Sequence, residues 1–156
     1  MLPLYSQSEE HALFLGLPLG GDLETFVDSL EDKGYEVQTM SEATASLTGM
    51  FDGGQWIIEV HATPKSHTVH QVSVSFSEFL ENELARMLKY RQIKKQLKRK
   101  YSKWDYRREK ALDEWSSPYA RISLGTRRLP EHRYKTLYVG WQDRAGWETR
   151  QEELGE

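Results

Sequence analysis

Val69-His70-Gln71-Val72-Ser73-Val74-Ser75-Phe76-Ser77-Glu78-Phe79-Leu80-Glu81-Asn82-Glu83-Leu84 decides how this chain folds, because the hydrophobic period changes inside it. Through Val72, Val74 and Phe76, apolar residues alternate with polar ones, the period of two that lays one strand face on a core. From about Ser77 the period becomes that of a helix. Leu80, Leu84 and Met87 share one face, and Tyr90, Ile93, Leu97, Tyr101 and Trp104 share another, rotated by about a quarter turn. The spacing predicts a helix over 78–108, roughly 40 Å long, with a bend or a change of packing partner near Leu88. Ser75 and Glu78 have the spacing of a capping box. A cap at Ser77 instead finds Leu80 where the box wants Glu or Gln.

Upstream, a short strand at 13–17 runs into the turn Pro18-Leu19-Gly20-Gly21. Asp22 then caps a helix whose Leu23, Phe26, Val27 and Leu30 fall on one stripe, with Gly34 as its stop. Strands are predicted at 35–40, 43–51 and 55–62, with Asp52-Gly53 as a hairpin turn. Pro64-Lys65-Ser66-His67 leads into the strand at 69–76. Two more strands, 119–124 and 134–141, flank the loop Thr126-Arg127-Arg128-Leu129-Pro130. This order predicts an α+β fold, a single antiparallel sheet of five to seven strands with two helices packed on one face. The domain is expected to span 1–141, followed by a polar, frayed tail at 142–156, and no internal repeat stands out.

Phe14-Leu15-Gly16-Leu17-Pro18-Leu19, then Leu23, Phe26, Leu30 and Lys33-Gly34-Tyr35, then Leu47 and Gly49 before Phe51, form a recognisable series. It resembles a group of small uncharacterised Bacteroides-type proteins, in which a Gly-Ile-Pro-Leu-like strand end leads into a helix ending in Lys-Gly-Phe. Leu97-Lys98-Arg99-Lys100-Tyr101 is similar to a second helix end of that group, with Ser102 where the group has glycine. The resemblance covers about the first fifty residues plus these five. It implies an α+β fold and no activity. Members of the group commonly look exported.

The 156 residues carry a formal charge of −3, and that total hides a segregation. Residues 1–60 hold eleven Asp and Glu against Lys33 alone. From Arg86 to Lys110 there are twelve Lys and Arg against Asp105 and Glu109. A basic helix needs an anionic counterpart: the acidic half of the same chain, a partner, a nucleic acid or a membrane surface. With a mean hydropathy of −0.72, no apolar run approaches the roughly 20 residues of a spanning helix. The absence of cysteine removes disulfides, thiolate metal sites and a cysteine nucleophile. The N-terminus lacks the basic start and apolar stretch of a secretion signal, so a cytoplasmic protein is expected, or an exported one if the start is a truncated signal.

Three chemistries compete with simpler readings. His61, His67 and His70 have metal-like spacing, but pairing 60 with 72 and 62 with 70 puts His61 outside and His70 on the core side. Asp52, Glu59 and His61 are similar to the Asp…Glu-x-Lys arrangement of metal-dependent nucleases. The lysine is missing, and turn chemistry explains Asp52. Gly20-Gly21 before a helix lacks the Lys and Ser/Thr of a phosphate loop, and Asp22 and Glu24 repel an anion there. No serine elbow or cofactor motif is present. The expectation is therefore a non-catalytic protein with no cofactor and no metal, binding an acidic protein partner through Arg91, Lys94, Lys95, Lys98, Arg99 and Lys103. The alternative is sequence-tolerant binding of RNA or single-stranded DNA by the same surface, with Tyr101, Trp104 and Tyr106 as stacking groups. A metal-dependent hydrolase at Glu59 is the third.

Overall fold

Alternation and helical spacing resolve into ten strands and three helices in the computed structural model, which describes residues 11–51, 54–76, 83–128 and 135–155. A minute hairpin, β1 (Leu13–Phe14) and β2 (Leu17–Pro18), opens the fold. Helix α1 (Leu23–Asp32) begins where the Asp22 carboxylate accepts the Thr25 N–H at 3.1 Å. It ends before Gly34, whose φ of 100° suits only glycine readily. Its buried stripe is the expected Leu23, Phe26, Val27 and Leu30.

The alternating segments then form β3 (Glu36–Met40), β4 (Thr44–Phe51), β5 (Gly54–Ala62) and β6 (Val69–Phe76), each antiparallel to the next. Asp52-Gly53 lies outside the described residues, and Phe51 pairs with Gly54 across it. Helix α2 (Glu83–Lys100) carries the chain to a second meander: β7 (Asp105–Glu109), β8 (Leu112–Ser116), β9 (Ala120–Arg128) and β10 (Lys135–Asp143). Helix α3 (Arg144–Leu154) follows. Strand β10 lies antiparallel against β6, giving the order β3-β4-β5-β6-β10-β9-β8-β7. A helix followed by a four-stranded meander thus occurs twice, and the last strands of the two units meet at the centre.

The α+β class holds, while the expected five to seven strands and two helices become an eight-stranded sheet, a two-stranded sheet and three helices. The predicted helix to 108 stops at Lys100, and 105–109 is strand β7. Glu109 pairs with Leu112 around Lys110 and Ala111, both at positive φ (52° and 64°). That geometry normally calls for Asn-Gly, so the sequence gives no turn signal there. Of the capping alternatives, Ser75 belongs to β6, and Ser77 and Glu78 lie outside the described residues. The segment expected as a frayed tail supplies the end of β10 and all of α3.

Leu47, Ile58, Val60, Val72, Val74, Ile122, Leu124 and Leu137 are fully buried on one sheet face, against α1 and the Ile93–Leu97 side of α2. Each such side chain contributes about 1.5–3 kcal/mol of transfer free energy. The opposite face is polar. Arg127 reaches Glu59 at 2.8 Å and donates to Ser75 at 2.7 Å. Helix α3 covers only the end of this second face, near His70. No described helix is long and apolar enough to cross a membrane.

Candidate functional site

Helix α2 presents two flanks of different chemistry. Ile93 and Leu97 point into the core. At 100° per residue, Tyr90 and Lys94 flank that buried line, and Leu84, Leu88, Arg91, Lys95 and Arg99 run along the far side.

The inner flank meets Asp113, which alternation on β8 turns toward the core beside Trp115. Asp113 is fully buried, yet its carboxylate is saturated. Tyr90 and Tyr106 both donate their hydroxyls to it, Tyr106 at 2.5 Å. Arg108 donates at 2.9 Å, and the Lys94 ammonium lies at 3.4 Å. Burial works against the Asp113 charge, but the Tyr106 and Tyr90 hydroxyls, Arg108 and Lys94 together outweigh it and hold its carboxyl below the usual carboxylate range. Lys94 also sits over the Tyr90 and Tyr106 rings, at 5.7 and 5.8 Å. In this cluster two cations and two hydroxyls compensate one buried carboxylate.

Among the described residues, the outer flank meets no such carboxylate. Arg91, Lys95, Lys98 and Arg99 are exposed, as is Lys103 in the turn after α2. Lys98 leans over the Tyr106 ring at 5.4 Å. Of the six residues expected to bind a partner, the structure therefore turns Lys94 inward and keeps five at the surface. Among the described residues, the ion pairs of α2 go to Glu83 and Asp113, not to the acidic first half of the chain.

Sequence reasoning missed the residues beside these cations. Leu84 and Met87, expected to share an apolar face with Leu80, which lies outside the described residues, are 66% and 45% exposed, and Leu88 beside them is 56% exposed. Leu84, Leu88, Arg91 and Lys95 form one continuous stripe, apolar at its N-terminal half and basic at its C-terminal half. Of the three aromatics named as stacking groups, Tyr101 is closed to bases, Trp104 is half-buried and Tyr106 is 41% exposed. Tyr101 is buried and packs on Trp104 at 4.7 Å; Trp104 packs on Tyr119 and Tyr106 on Trp115.

The other candidates fall elsewhere. The register pairs Val60 with Val72 as expected, but a bulge pairs Ala62 with Val69, where 70 was expected. That shift brings His70 to the cleft that His61 lines, while His67 occupies the intervening turn at a φ of 57°. Glu59 is engaged by Arg127, and Asp52 lies outside the described residues. Gly20 and Gly21 are held in place by β6: the Gly20 N–H donates to the Val69 carbonyl, and the Gly21 carbonyl accepts from the Val69 N–H, both at 2.8 Å.

Fold and surface together define an α+β protein built from two helix-plus-meander units, with a charged helix crossing one face. Compared with protein families, curated proteins and solved structures, the chain finds no match.

Proposed function

We propose that the chain is a non-catalytic protein-binding module whose outer α2 face docks an acidic, amphipathic segment of a partner protein. The observation that carries this reading is the join of Leu84, Met87 and Leu88 to Arg91, Lys95 and Arg99 on one exposed helix face. An apolar centre supplies affinity, and a cationic border steers and selects an acidic partner. A stripe of this spacing fits a partner helix with leucines at one end and carboxylates at the other. Nucleic-acid binding is less well supported, because Tyr101 is buried, the rings of Trp104 and Tyr106 pack on neighbouring aromatics, and the isoelectric point is near 6.0.

Fluorescence anisotropy separates the two. A helical peptide of alternating Leu and Glu heptads is expected to bind, and to keep most of its affinity between about 50 and 200 mM salt. Labelled single-stranded DNA and RNA are expected not to bind. Micromolar oligonucleotide binding that collapses at the higher salt overturns the proposal in favour of phosphate contacts.

A further inference from the structure

Helix α3 is fastened in a way its hydrophobicity does not explain. It buries one residue, Gly146, and leaves Trp147 37% and Leu154 54% exposed. Polar contacts hold both ends instead. The buried Asp143 carboxylate accepts from the Gly146 N–H at 3.3 Å and from the Ala12 N–H at 3.0 Å. Near the other end, Glu153 accepts from the backbone N–H of Lys65 at 2.6 Å and from the Ser66 hydroxyl at 2.6 Å. Gly146 rests directly on β6: a Cβ there would lie 2.7 Å from the His70 Cβ.

So held, α3 arches over the ends of β4, β5 and β6 and leaves a cavity of about 350 Å³. That is within the range of small-ligand sites, about 300–1,000 Å³. Its polar lining is Thr44, His61, His70, Gln71 and Arg150, with Trp147 as one wall. No Asp or Glu is among the lining residues. The Arg150 guanidinium lies over the Trp147 ring at 5.0 Å, and among the described residues no carboxylate pairs with it. The nearest acid on the sheet face, Glu59, is bound to Arg127. His70 is 3% exposed, and its Nδ1 has no hydrogen-bond partner. Burial, then Arg150 and His61, push His70 down to about 4, so it is neutral at physiological pH; burial also lowers His61. The cavity lining therefore holds a fixed cation and neutral donors, while Glu59 acts on His61 and Asp143 on His70 from outside the lining.

We infer that this cavity binds a small oxyanion, a carboxylate or phosphate group, with Arg150 as its bidentate anchor. The guanidinium fork matches two oxygens of either group, and stacking on Trp147 fixes its plane. Thr44 and Gln71 offer further donors. A metal ion is disfavoured by the same cation.

The test follows the His61, His70 and Trp147 ring signals by NMR during titration with inorganic phosphate, acetate or benzoate in a phosphate-free buffer. Saturable shifts of these three residues, weakened at least tenfold by Arg150→Met and unchanged by Arg121→Met on β9, are the expected result. Phosphate alone saturating identifies a phosphate site; acetate or benzoate alone identifies a carboxylate site. Thr44→Val, at an exposed position, gives a second variant should Arg150→Met unfold. Shifts that stay linear with all three probes, or saturable binding that survives Arg150→Met, overturn the inference.

Discussion

The two flanks of α2 carry the same kind of residue to opposite ends. Lys94 and Lys95 are neighbours in sequence, yet one ammonium faces buried Asp113 at 3.4 Å and the other faces solvent. A cation turned inward is part of the fold, because its loss leaves a buried carboxylate short of a partner. A cation turned outward changes folding little and is available for recognition. Charge on a helix therefore says nothing about function until the side it occupies is known.

The sharpest way to break this contrast is Asp113→Ala. Removal of the shared acceptor strands Lys94, Arg108 and two tyrosine hydroxyls, and a loss of about 2–3 kcal/mol is expected in urea unfolding. Arg108 and part of Lys94 reach water, which keeps the figure below that of a fully enclosed ion pair. A loss under about 0.5 kcal/mol, the usual range of surface substitutions, contradicts the structural role. Lys94→Met against Lys95→Met sharpens the comparison: about 1 kcal/mol for the first and under about 0.5 for the second, by the same measurement.

Acid titration tests the inner flank and the α3 cavity together. The Asp113 carboxyl is held below its usual value of 3.8, so its contribution is present above that pH and is lost as pH falls through the folded value. His70 titrates near 4 in the fold against 6.5 when unfolded, so unfolding takes up a proton and stability declines from pH 6.5 to about 4. His70→Gln is expected to flatten the upper part of the profile, and Asp113→Asn the lower part. The smallest effect on stability is expected for Leu88→Ser, at an exposed apolar position: within about 0.5 kcal/mol.

Much of the first meander was legible. Trp56, Ile58, Val60 and Val72, Val74, Phe76 alternate strictly, and both strands lie where that pattern put them, because one face of each is buried. The second meander was half hidden. Tyr101 and Trp104 keep helical spacing past the true helix end, and Lys110-Ala111 makes its tight turn without glycine. Helix α3 left almost no trace, since polar contacts from Asp143 and Glu153 anchor it, and a period cannot report them. At the candidate surface the basic residues were legible as a cluster. The pairing of Lys94 with Asp113 joins a helix to the second strand of a later hairpin, and Leu84 and Leu88 have the spacing of a core stripe while facing water.

Whether the outer face of α2 is a docking surface is tested most directly by quantitative affinity capture. Three forms are compared: the unaltered chain, Arg91→Glu/Lys95→Glu/Arg99→Glu and Leu84→Ser/Leu88→Ser, each before and after nuclease treatment and with thermal melts to confirm folding. The expected result is one set of acidic proteins lost by both variants and retained after nuclease. Recovery of the same proteins by all three forms, or a capture that vanishes with nuclease, contradicts it.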